Sequence, residues 1–480
     1  MLVLLRRQSP LLIRSDLMTN TASSAPLDAY KQAVATAFDA ALAAGHPAQI
    51  TADAMASLGH MPTAVIAIGK AAASMAGAVR AAGCMAPGIM VTTDENFAEI
   101  DNMRCFASAH PVPDERGIIA AQAVGAFADN LTADDELLLL ISGGGSALVP
   151  APPSPLTLAD KQSLNEALLA SGLDIHAMNV VRRLFSDLKG GRLARRAHPA
   201  SMTAFLLSDV PGDRLESIAS GPAAPDPVPF EDAIRLMADH GLDQLPFARA
   251  HLAALAKDPS RQPVRPGDPV MDGVASHILA SNQLCQDAAM TALMAALIGG
   301  VDACDQDDAG LASFALPPLV DDVRVCARHL ATSVCAAAPA SVATPATLAN
   351  KAVTKYAVTG GETTVQLGDG PVGLGGRSQE LALAFAAEMH DRSDAPHRWV
   401  ILAGGTDGRD GPTDAAGALI TSDDTALDIW DRDAVAATLA AHDAHPFLDF
   451  HNLLLRVNPT GTNLADLAIV IAEWSPDGKS

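Results

Sequence analysis

Short apolar runs without polar alternation recur along the chain and end in loops rich in glycine or aspartate. The clearest in the first half are AVIAIGK (64–70), GIMVTTD (88–94), ELLLLISGGGSAL (136–148) and TAFLLSDVPGD (203–213). Strands of a parallel sheet that are buried on both faces have this pattern. Between the runs, apolar residues return at helical spacing, as in DAYKQAVATAFDAALAAG after Pro26. The pattern predicts an α/β fold with mainly parallel sheets and helices on both faces.

A second series of strands begins after a polar, proline-rich stretch at 256–269, which we predict to be a linker. HILASN (277–282) precedes a helical pattern, and KYAVTGGE, RWVILAGGTDG and LAIVIAEW supply further strands. A chain of 480 residues suggests roughly three domains, and two large α/β domains also fit. We predict a disordered leader (1–25), an N-terminal Rossmann-like α/β domain (26–262) and a C-terminal α/β domain (270–476).

Composition excludes several classes of partner. Apolar residues make up 49% of the chain, which allows large buried cores, whereas aromatic residues at 4% do not suit a stacking platform for bases. The formal charge of −23 argues against nucleic acid or an anionic membrane as partner. No apolar run is long enough to span a membrane, and the six cysteines show no zinc spacing. Reduced thiols favour a cytoplasmic location.

The leader itself does not resemble an export signal. Residues 1–20 are basic, have no long apolar core and lack a small-residue cleavage site. A disordered leader or a start at Met18 rather than Met1 explains them better.

Glycine clusters follow three of the predicted strands, at Gly143–Gly145, Gly360–Gly361 and Gly404–Gly405. In α/β sheets, ligands bind beyond the carboxyl ends of the strands, where such loops lie. The loop Ser142, Gly143, Gly144, Gly145, Ser146 offers N–H groups and two hydroxyls suited to phosphate oxygens. It is not a Walker A loop, because GxxxxGK[ST] is absent. A turn alone would not need three glycines.

The stretch TGGETTVQLGDGPVGLGGRSQELALAFA (359–386) carries a carboxylate, two glycine clusters and an arginine at the head of a predicted helix. An arginine beside a helix N-terminus can hold a carboxylate or phosphate. Two ordinary strand–turn–helix corners would explain the same glycines. The residues concerned are Gly360, Gly361, Glu362, Gly375, Gly376 and Arg377.

Further charged residues stand at predicted strand ends. Lys70 lies where a strand turns into a helix, so its ammonium can reach a carboxylate or a moving phosphoryl group. Asp209 and Asp407 each follow a buried strand closely and can bind Mg²⁺ or accept a proton from an alcohol. Ordinary turn chemistry explains aspartates next to glycine or proline equally well.

A basic island interrupts the acidic chain between the third and fourth of these runs. A solvated helix face is its simplest explanation, although Lys189 is also a candidate cation for the site. The island comprises Arg182, Arg183, Lys189, Arg192, Arg195 and Arg196.

Motifs of other enzyme classes are incomplete. The nearest dinucleotide fingerprint, starting at Gly373, lacks its last glycine and has no strand directly before it. Ser146 lies in GGSAL rather than GxSxG, and no HExxH occurs.

Taken in order, the motifs resemble those of the glycerate 2-kinases, the family whose C-terminal part is the MOFRL domain and whose members were often labelled hydroxypyruvate reductase. The resemblance covers about residues 28–471. The matching pieces are AIGKAAASMA, HPVPDE, ISGGGSAL, NVVRRLFSDLKGGRLA, LSDVPGD, IASGPAAPDP, TGGETTV, GLGGRSQELALA, GGTDGRDGPTDAAGA and PTGTNLADL.

The resemblance implies two α/β domains with an active-site cleft between them, and a MOFRL region at about 352–472. It implies transfer of the γ-phosphoryl group of ATP to the 2-hydroxyl of D-glycerate with Mg²⁺, with Lys70 and Arg377 in the active site. Asp209 or Asp407 would act as base or metal ligand, and Ser142–Ser146 would hold ATP phosphates. A homodimer is one candidate assembly.

This chain departs from the family pattern at several positions. The family usually has histidine at Leu184, threonine at Ala223, asparagine at Ser378 and Ala465, and glycine at Asn458. These departures leave open a shifted hydroxy-acid preference or a catalytically weakened, hydroxy-acid-binding paralogue. An NAD(P)H-dependent hydroxypyruvate reductase is the alternative enzyme class.

Overall fold

The fold was determined as a computed structural model that describes residues 25–299, 310–339, 352–368, 370–426, 430–458 and 460–475. The expected leader and Cys304 lie outside the described residues. Within the described ranges, no helix is both long and apolar enough to cross a membrane. Two compact units divide the chain. The first comprises His46–Ser281 and Gly461–Asn463, and the second comprises the remaining described residues.

The first unit is built on a parallel sheet whose strands have the order β3-β2-β1-β4-β5-β6. Val65, Ile66 and Ala67 of the central strand are fully buried, as the lack of polar alternation predicted. Its strands are β1 (Ala64–Ile68), β2 (Gly88–Thr92), β3 (Met103–Ala107), β4 (Glu136–Ile141), β5 (Ser201–Ser208) and β6 (Val274–Ser281).

The strand order reverses between β1 and β4, which pair in parallel with Ile68 opposite Ile141. The connections from β1 therefore run to one side of the sheet and those from β4 to the other. Such a switch point leaves a crevice beyond the carboxyl ends of the two strands. The loops that begin at Gly69 and Ser142 lie at this crevice.

A mixed sheet forms the core of the second unit, with the order β11-β10-β9-β12-β8-β7. Among the described strands of this sheet, β7 and β8 pair in parallel and the other pairs are antiparallel. Its strands are β7 (Leu311–Ser313), β8 (Val353–Gly361), β9 (Arg398–Gly405), β10 (Gly417–Thr421), β11 (Leu454–Leu455) and β12 (Asp466–Trp474).

The α/β fold class is confirmed, but the expectation of a mainly parallel sheet in the C-terminal half is wrong. The central strands β9 and β12 are buried throughout or nearly so. Burial on both faces removes polar alternation whichever way the neighbouring strands run. Apolar runs therefore did not reveal the strand direction.

Helices cover the sheets of both units. Their bounds are α1 (Ala25–Ala44), α2 (Pro47–Leu58), α3 (Ala72–Ala81), α4 (Glu115–Asp129), α5 (Gly145–Leu148), α6 (Leu158–Ala170), α7 (Ile175–Leu184), α8 (Arg192–Ala197), α9 (Phe230–Asp239), α10 (Ala248–Lys257), α11 (Asn282–Gly299), α12 (Val323–Ala336), α13 (Arg377–His390), α14 (Ser422–Ala426), α15 (Arg432–Ala440) and α16 (Ala444–Phe450).

The division between the units differs from the boundary expected at 262–270. β6 follows the proline-rich stretch but pairs with β5, so the first unit continues to Ser281. Helix α1 packs on α11 and belongs to the second unit, although it precedes the first unit in the sequence. Both differences arise from long-range packing that local composition does not reveal.

Candidate active site

In the first unit, Lys70 is tied to the glycine-rich loop after β4. The Lys70 N–H donates to the Gly143 carbonyl at 2.9 Å, and the Ala71 N–H donates to Ser142 Oγ at 3.0 Å. Gly69 has a φ of +132°, and a Cβ there would lie 2.2 Å from Ser142 Oγ. Glycine therefore permits both the backbone conformation and the close approach of the two loops. The structure brings together Lys70 and Ser142–Ser146.

Asp209 follows β5 and lies against the same loop. A Cβ on Gly143 would be 2.4 Å from Asp209 Oδ2 and 2.8 Å from Asn463 Nδ2. Asp209 reaches this place because β5 is the parallel neighbour of β4, so the two strands end at the same edge. Sequence reasoning missed Asn463, although it lies within the family piece PTGTNLADL. Asn463 lies more than 250 residues after Gly143 and Asp209 in the sequence, so no local pattern connected it with them.

His110 is a further neighbour that the candidate set did not include. A Cβ on Gly144 would lie 3.1 Å from His110 Cδ2 and 3.3 Å from Lys70 Cγ. Desolvation and the Lys70 ammonium lower the pKa of His110, which favours the neutral imidazole. His110 belongs to the motif HPVPDE, which matches the family. That match was the signal in the sequence that could have identified His110 as a site residue.

The backbone of the loop is open for hydrogen bonding. Gly144 adopts a left-handed conformation with a φ of +83°. Among the hydrogen bonds between described residues, the N–H groups of Gly143, Gly144 and Gly145 donate none. Consecutive free N–H groups at a turn form a concave site for an anion.

Lys189 is buried beneath this loop. Its Nζ lies 2.6 Å from the Ser146 carbonyl oxygen and 2.7 Å from Ser146 Oγ. Burial, with smaller effects from Lys161 and Arg182, holds the pKa of Lys189 well below its ordinary value. Lys189 thus contacts the last residue of the glycine-rich loop, and its role as a cation of the site stays a prediction.

The basic island was predicted to be a solvated helix face, and this is wrong for three of its six residues. Arg183, Lys189 and Arg192 are buried. Arg183 makes a two-point ion pair with Asp226, at 2.7 and 3.0 Å. Arg192 donates to backbone carbonyls, including that of Arg261, and burial lowers its pKa to about 9. These side chains hold loops together inside the unit.

In the second unit, Arg377 begins α13 and pairs with two carboxylates. Its Nε and Nη2 donate to the two oxygens of Asp466 at 2.6 and 3.1 Å, and its Nη1 donates to Glu362 at 2.5 Å. Asp466 begins β12 opposite both Gly361 and Gly405. Because β12 runs antiparallel to β8 and β9, its first residue lies at their carboxyl ends. The sequence indicated Arg377 and Glu362 but not Asp466.

The ion pair between Arg377 and Asp466 is close and largely removed from solvent. Burial raises the pKa of Asp466, to about 7, although Arg377 opposes the rise. Asp466 in turn raises the pKa of Arg377 against the effect of burial. The bidentate contact with a guanidinium favours the ionised carboxylate, so we expect the pair to be charged. A third of the Arg377 side chain remains exposed.

Asp407 stands close to Asp466 at the end of β9. A Cβ on Gly405 would lie 3.1 Å from Asp407 Oδ1 and 3.4 Å from Asp466 Oδ1. The Asp407 carboxylate also accepts a hydrogen bond from the Arg409 N–H at 3.0 Å. Arg377, Asp407, Asp466 and Glu362 thus form a charged group at one edge of this sheet.

The glycines before Arg377 contact the chain's own atoms. Asp410 accepts hydrogen bonds from the N–H groups of Ser378 and Gln379 at 3.0 and 2.8 Å, and therefore occupies the N-terminus of α13. A Cβ on Gly376 would lie 2.2 Å from Asp410 Cγ, and one on Gly375 would lie 3.2 Å from the Ala444 nitrogen. The anion expected at this helix end is a carboxylate of the protein. Substrate contact by these glycines stays a prediction.

Gly360 makes room for Asn282, another residue that sequence reasoning missed. A Cβ on Gly360 would lie 2.1 Å from Asn282 Oδ1. Asn282 Nδ2 donates to the carbonyls of Leu464 and Asp466 at 2.7 and 3.0 Å. Asn282 thus fixes the backbone at the start of β12 and with it Asp466.

The two aspartates proposed for metal binding lie in different units, Asp209 in the first and Asp407 in the second. Across the described residues, no three histidine, cysteine or acidic side chains converge as a metal site. Mg²⁺ is usually held by one or two carboxylates together with substrate phosphates and water. Either aspartate fits that chemistry.

The family departures have local explanations. Leu184 lies in an apolar cluster with Val181 and Phe185, and Ala223 lies in the core of the first unit. Their burial in apolar surroundings favours a packing role over a substrate contact. Ser378 Oγ finds no hydrogen-bond partner among the described residues, and Ala465 has a φ of +64°. Asparagine adopts that conformation more readily than alanine.

Two family models match the chain. One, described as a domain of unknown function (DUF4147), matches residues 33–253, and the MOFRL family model matches residues 355–466. A D-glycerate 2-kinase of Thermotoga maritima is 34% identical over 414 residues, covering 84% of this chain and 89% of the relative.

The chain belongs to the glycerate kinase family.

The crystal structure of glycerate kinase from Thermotoga maritima supports this membership, with a TM-score of 0.75 and 29% identity. The match covers 93% of this chain and all of that one. An Agrobacterium vitis protein provisionally named hydroxypyruvate reductase is 35% identical over 449 residues, covering 92% of this chain and 94% of the relative. Both names that are associated with the family, glycerate kinase and hydroxypyruvate reductase, therefore occur among the relatives of this chain.

Proposed function

We propose that this protein transfers the γ-phosphoryl group of ATP to the 2-hydroxyl of D-glycerate, giving 2-phosphoglycerate and ADP. The observation that carries the proposal is the junction of Lys70 with the open N–H groups of Gly143–Gly145 at the switch point of the parallel sheet. A cation beside a backbone anion cradle suits a phosphoryl group.

The roles follow from the contacts. The loop Ser142–Ser146 holds phosphate oxygens of the nucleotide through its N–H groups, and Lys70 offsets negative charge on the transferring group. Phosphoryl transfer needs mainly positioning and charge stabilisation, which these groups provide. Asp209, beside Gly143, is the candidate base for the substrate hydroxyl in the first unit.

Arg377 is the candidate group for the glycerate carboxylate or the phosphoryl group in the second unit. Three of its five N–H groups donate to Asp466 and Glu362, and two remain for a ligand. Asp466 fixes the guanidinium plane, so the remaining donors have a set direction. Gly360 and Gly361 support this arrangement by packing against Asn282 and Leu319.

Mg²⁺ is proposed as the metal, held by Asp209 or Asp407 together with nucleotide phosphates. When bound, it would neutralise charge on the phosphate oxygens. A cytoplasmic location remains a prediction from cysteine usage, and a homodimer remains an open possibility for assembly.

The hydroxypyruvate reductase alternative is less compatible with α13. A dinucleotide pyrophosphate binds to N–H groups at a helix N-terminus after a complete GxGxxG turn. Here Asp410 accepts from the N–H groups of Ser378 and Gln379. The carboxylate fills the position that the pyrophosphate would need.

The test is ATP-dependent turnover of D-glycerate, followed as ADP release, with phosphorus NMR of the product. We expect Lys70→Ala and Arg377→Ala each to reduce kcat/KM at least about a hundredfold. Lys257→Ala and Arg432→Ala, which alter exposed residues on α10 and α15, are the matched controls. Near-normal activity in both site variants would refute the residue roles.

The same preparation separates the other functions. NADH oxidation with hydroxypyruvate, without ADP release from D-glycerate, would establish the reductase instead. Thermal stabilisation by D-glycerate and ATP without turnover would indicate a binding protein that has lost catalysis. A 3-phosphate signal would correct the regiochemistry.

A further inference from the structure

Three loops of the first unit meet at the hydroxyl of Ser146. Ser146 Oγ lies 2.7 Å from Lys189 Nζ and 2.9 Å from Ser220 Oγ. Ser220 Oγ donates in turn to Asn179 Oδ1 at 3.2 Å, and the Gly190 N–H donates to the Ser220 carbonyl at 3.1 Å. The hydroxyl therefore has a fixed position at the end of the glycine-rich loop.

The loop that carries Ser220 is strained. Ala219 and Ser220 have φ values of +49° and +61°, a region that side chains with a Cβ rarely occupy. Residues held in such conformations cluster at functional sites, where the surrounding structure over-determines them. In this backbone conformation, the Ser220 hydroxyl lies against Ser146 and the Ala219 methyl group lies against Gly145.

The amine beside Ser146 is set up to accept a proton. Lys189 is only 2% exposed, and burial together with Lys161 and Arg182 keeps its pKa low. Lys189 Nζ donates to the carbonyl oxygen and to the hydroxyl of Ser146. A neutral amine that donates in this way still has a lone pair that can take up the hydroxyl proton, whereas an ammonium has none. A serine within hydrogen-bond reach of a desolvated lysine is a recurring arrangement of an activated nucleophile.

The two charged side chains that act on Lys189, Lys161 and Arg182, are both cations. Lys161 Nζ donates to the Phe185 carbonyl at 2.9 Å, and Arg182 donates to the amide oxygens of Asn165 and Asn179 at 2.9 and 3.3 Å. Over the described part of the chain, neither they nor Lys189 form a salt bridge with a carboxylate. An added dianion at Ser146 would therefore meet cations.

We propose that Ser146 is a phosphoryl-acceptor site of this protein, with Lys189 as its base and the bound nucleotide as donor. Ser146 Oγ forms a bond to the γ-phosphorus, the bond from that phosphorus to the β,γ-bridging oxygen breaks, and ADP leaves. The hydroxyl proton passes to Lys189 Nζ. The step rests on the proposed function for its donor, since ATP must bind at Ser142–Ser146.

The phosphoserine formed at position 146 would have a charged neighbour. Phosphoserine at position 146 lies beside the lysine that took its proton, which is then an ammonium. The dianion also lies in the loop that holds nucleotide phosphates, so the phosphorylated enzyme binds ATP poorly by charge repulsion. The modification would therefore inhibit turnover of D-glycerate.

The experiment incubates the full-length protein with MgATP in the absence of D-glycerate. Intact mass and peptide mapping then measure the phosphoryl group and its position. The variants are Ser146→Ala, Lys189→Met, Lys189→Arg and Ser57→Ala. Ser57→Ala is the matched control, because it removes an exposed hydroxyl on α2 of the same unit. Thermal unfolding checks that each variant is folded.

We expect one phosphoryl group per chain, on Ser146, in the wild type and in Ser57→Ala. It should be absent in Ser146→Ala and form at least about a hundredfold more slowly in Lys189→Met and Lys189→Arg, since only the neutral lysine is a base. Phosphorylation elsewhere would overturn the proposal. An undiminished rate in a folded Lys189 variant would do the same.

Turnover of D-glycerate separates this inference from the proposed function. Turnover without phosphoserine refutes the acceptor role and leaves the kinase reaction standing. Phosphoserine without turnover supports the acceptor role. Turnover by Ser146→Ala, which cannot be inhibited in this way, then tests the glycerate reaction by itself. If neither forms, the nucleotide is not the donor and both proposals fail.

Discussion

Arg377 donates two hydrogen bonds to the carboxylate of Asp466, from Nε at 2.6 Å and from Nη2 at 3.1 Å. The side chain of Asp466 is only 5% exposed, so the pair is largely removed from water. It joins the start of α13 to the start of β12, and it leaves Arg377 with donors for a ligand. This pairing makes Arg377 important for stability as well as for the proposed chemistry.

Arg377→Ala should destabilise the protein by about 3 kcal/mol, because it leaves a buried carboxylate without its cation. Replacing Asp466 with asparagine in the same chain should restore part of that loss but not the kinase activity. Urea unfolding of the single and double variants measures both effects. Arg432→Ala, at the exposed pair with Asp391, is the control and should cost less than about 1 kcal/mol. A double variant no more stable than Arg377→Ala would contradict the explanation.

Gly143→Ala should impair the site by crowding it. Its Cβ would lie 2.4 Å from Asp209 Oδ2, so Asp209 or the loop has to move. We expect kcat/KM for D-glycerate to fall at least about tenfold, since small displacements in a site are costly. Gly77→Ala is the matched control, because its Cβ meets nothing within 4 Å on helix α3. That change should stabilise the helix by about 0.5–1 kcal/mol. Equal activity of the two variants would show that the contact is unimportant.

Ala465→Gly should be nearly neutral for stability, because glycine relieves the left-handed backbone at a φ of +64°. The same substitution at Ala468, buried in β12, should cost about 1–2 kcal/mol through lost packing and chain entropy. Chemical denaturation of both variants compares the costs. The difference reports the strain at Ala465, and equal costs would mean that there is none.

Asp410 should make the stability of this protein depend on pH. Burial raises the pKa of Asp410 to about 6, although backbone N–H donors and Arg377 oppose the rise. An unfolded aspartate has a pKa of about 3.9. Between about pH 4 and 6 the folded state therefore binds more protons than the unfolded state, and the free energy of unfolding falls as pH rises.

The measurement compares the wild type with Asp410→Asn by urea unfolding from about pH 4 to 8. The wild-type stability minus that of the variant should fall by about 2–3 kcal/mol between pH 4 and 6 and stay level above pH 7. A difference that is flat below pH 6, or that rises with pH, would show that the carboxyl is ionised throughout.

Much of the first unit could be predicted from local pattern. The apolar runs located β1, β2, β4 and β5, and the glycines after β1 and β4 indicated where Lys70 and Ser142–Ser146 would lie. This succeeded because burial on both faces and turns at strand ends are local requirements. The strands β3, β7 and β11 were missed because they are short or only partly buried. Strand β10 was also missed, although its five residues are mostly buried.

The polar partners of the second unit could not be predicted in the same way. Asp466, Asp410 and Asn282 contact residues that are 89, 32 and 182 positions away in the chain. Asn463 lies in the first unit, although the residues on either side of its short segment belong to the second. No periodicity or spacing connects such residues, since only the folded backbone brings them together.

The sequence by itself determined that this chain forms α/β units with glycine-rich loops at strand ends, that Lys70 follows a strand and Arg377 begins a helix, and which family it resembles. Only the tertiary structure decided that the second sheet is mostly antiparallel, that Lys189 and Arg183 are buried rather than solvated, and that Arg377 pairs with Asp466. The physical reason is that strand formation and turns depend on neighbouring residues, whereas strand direction, burial and charge pairing depend on which distant segments pack together.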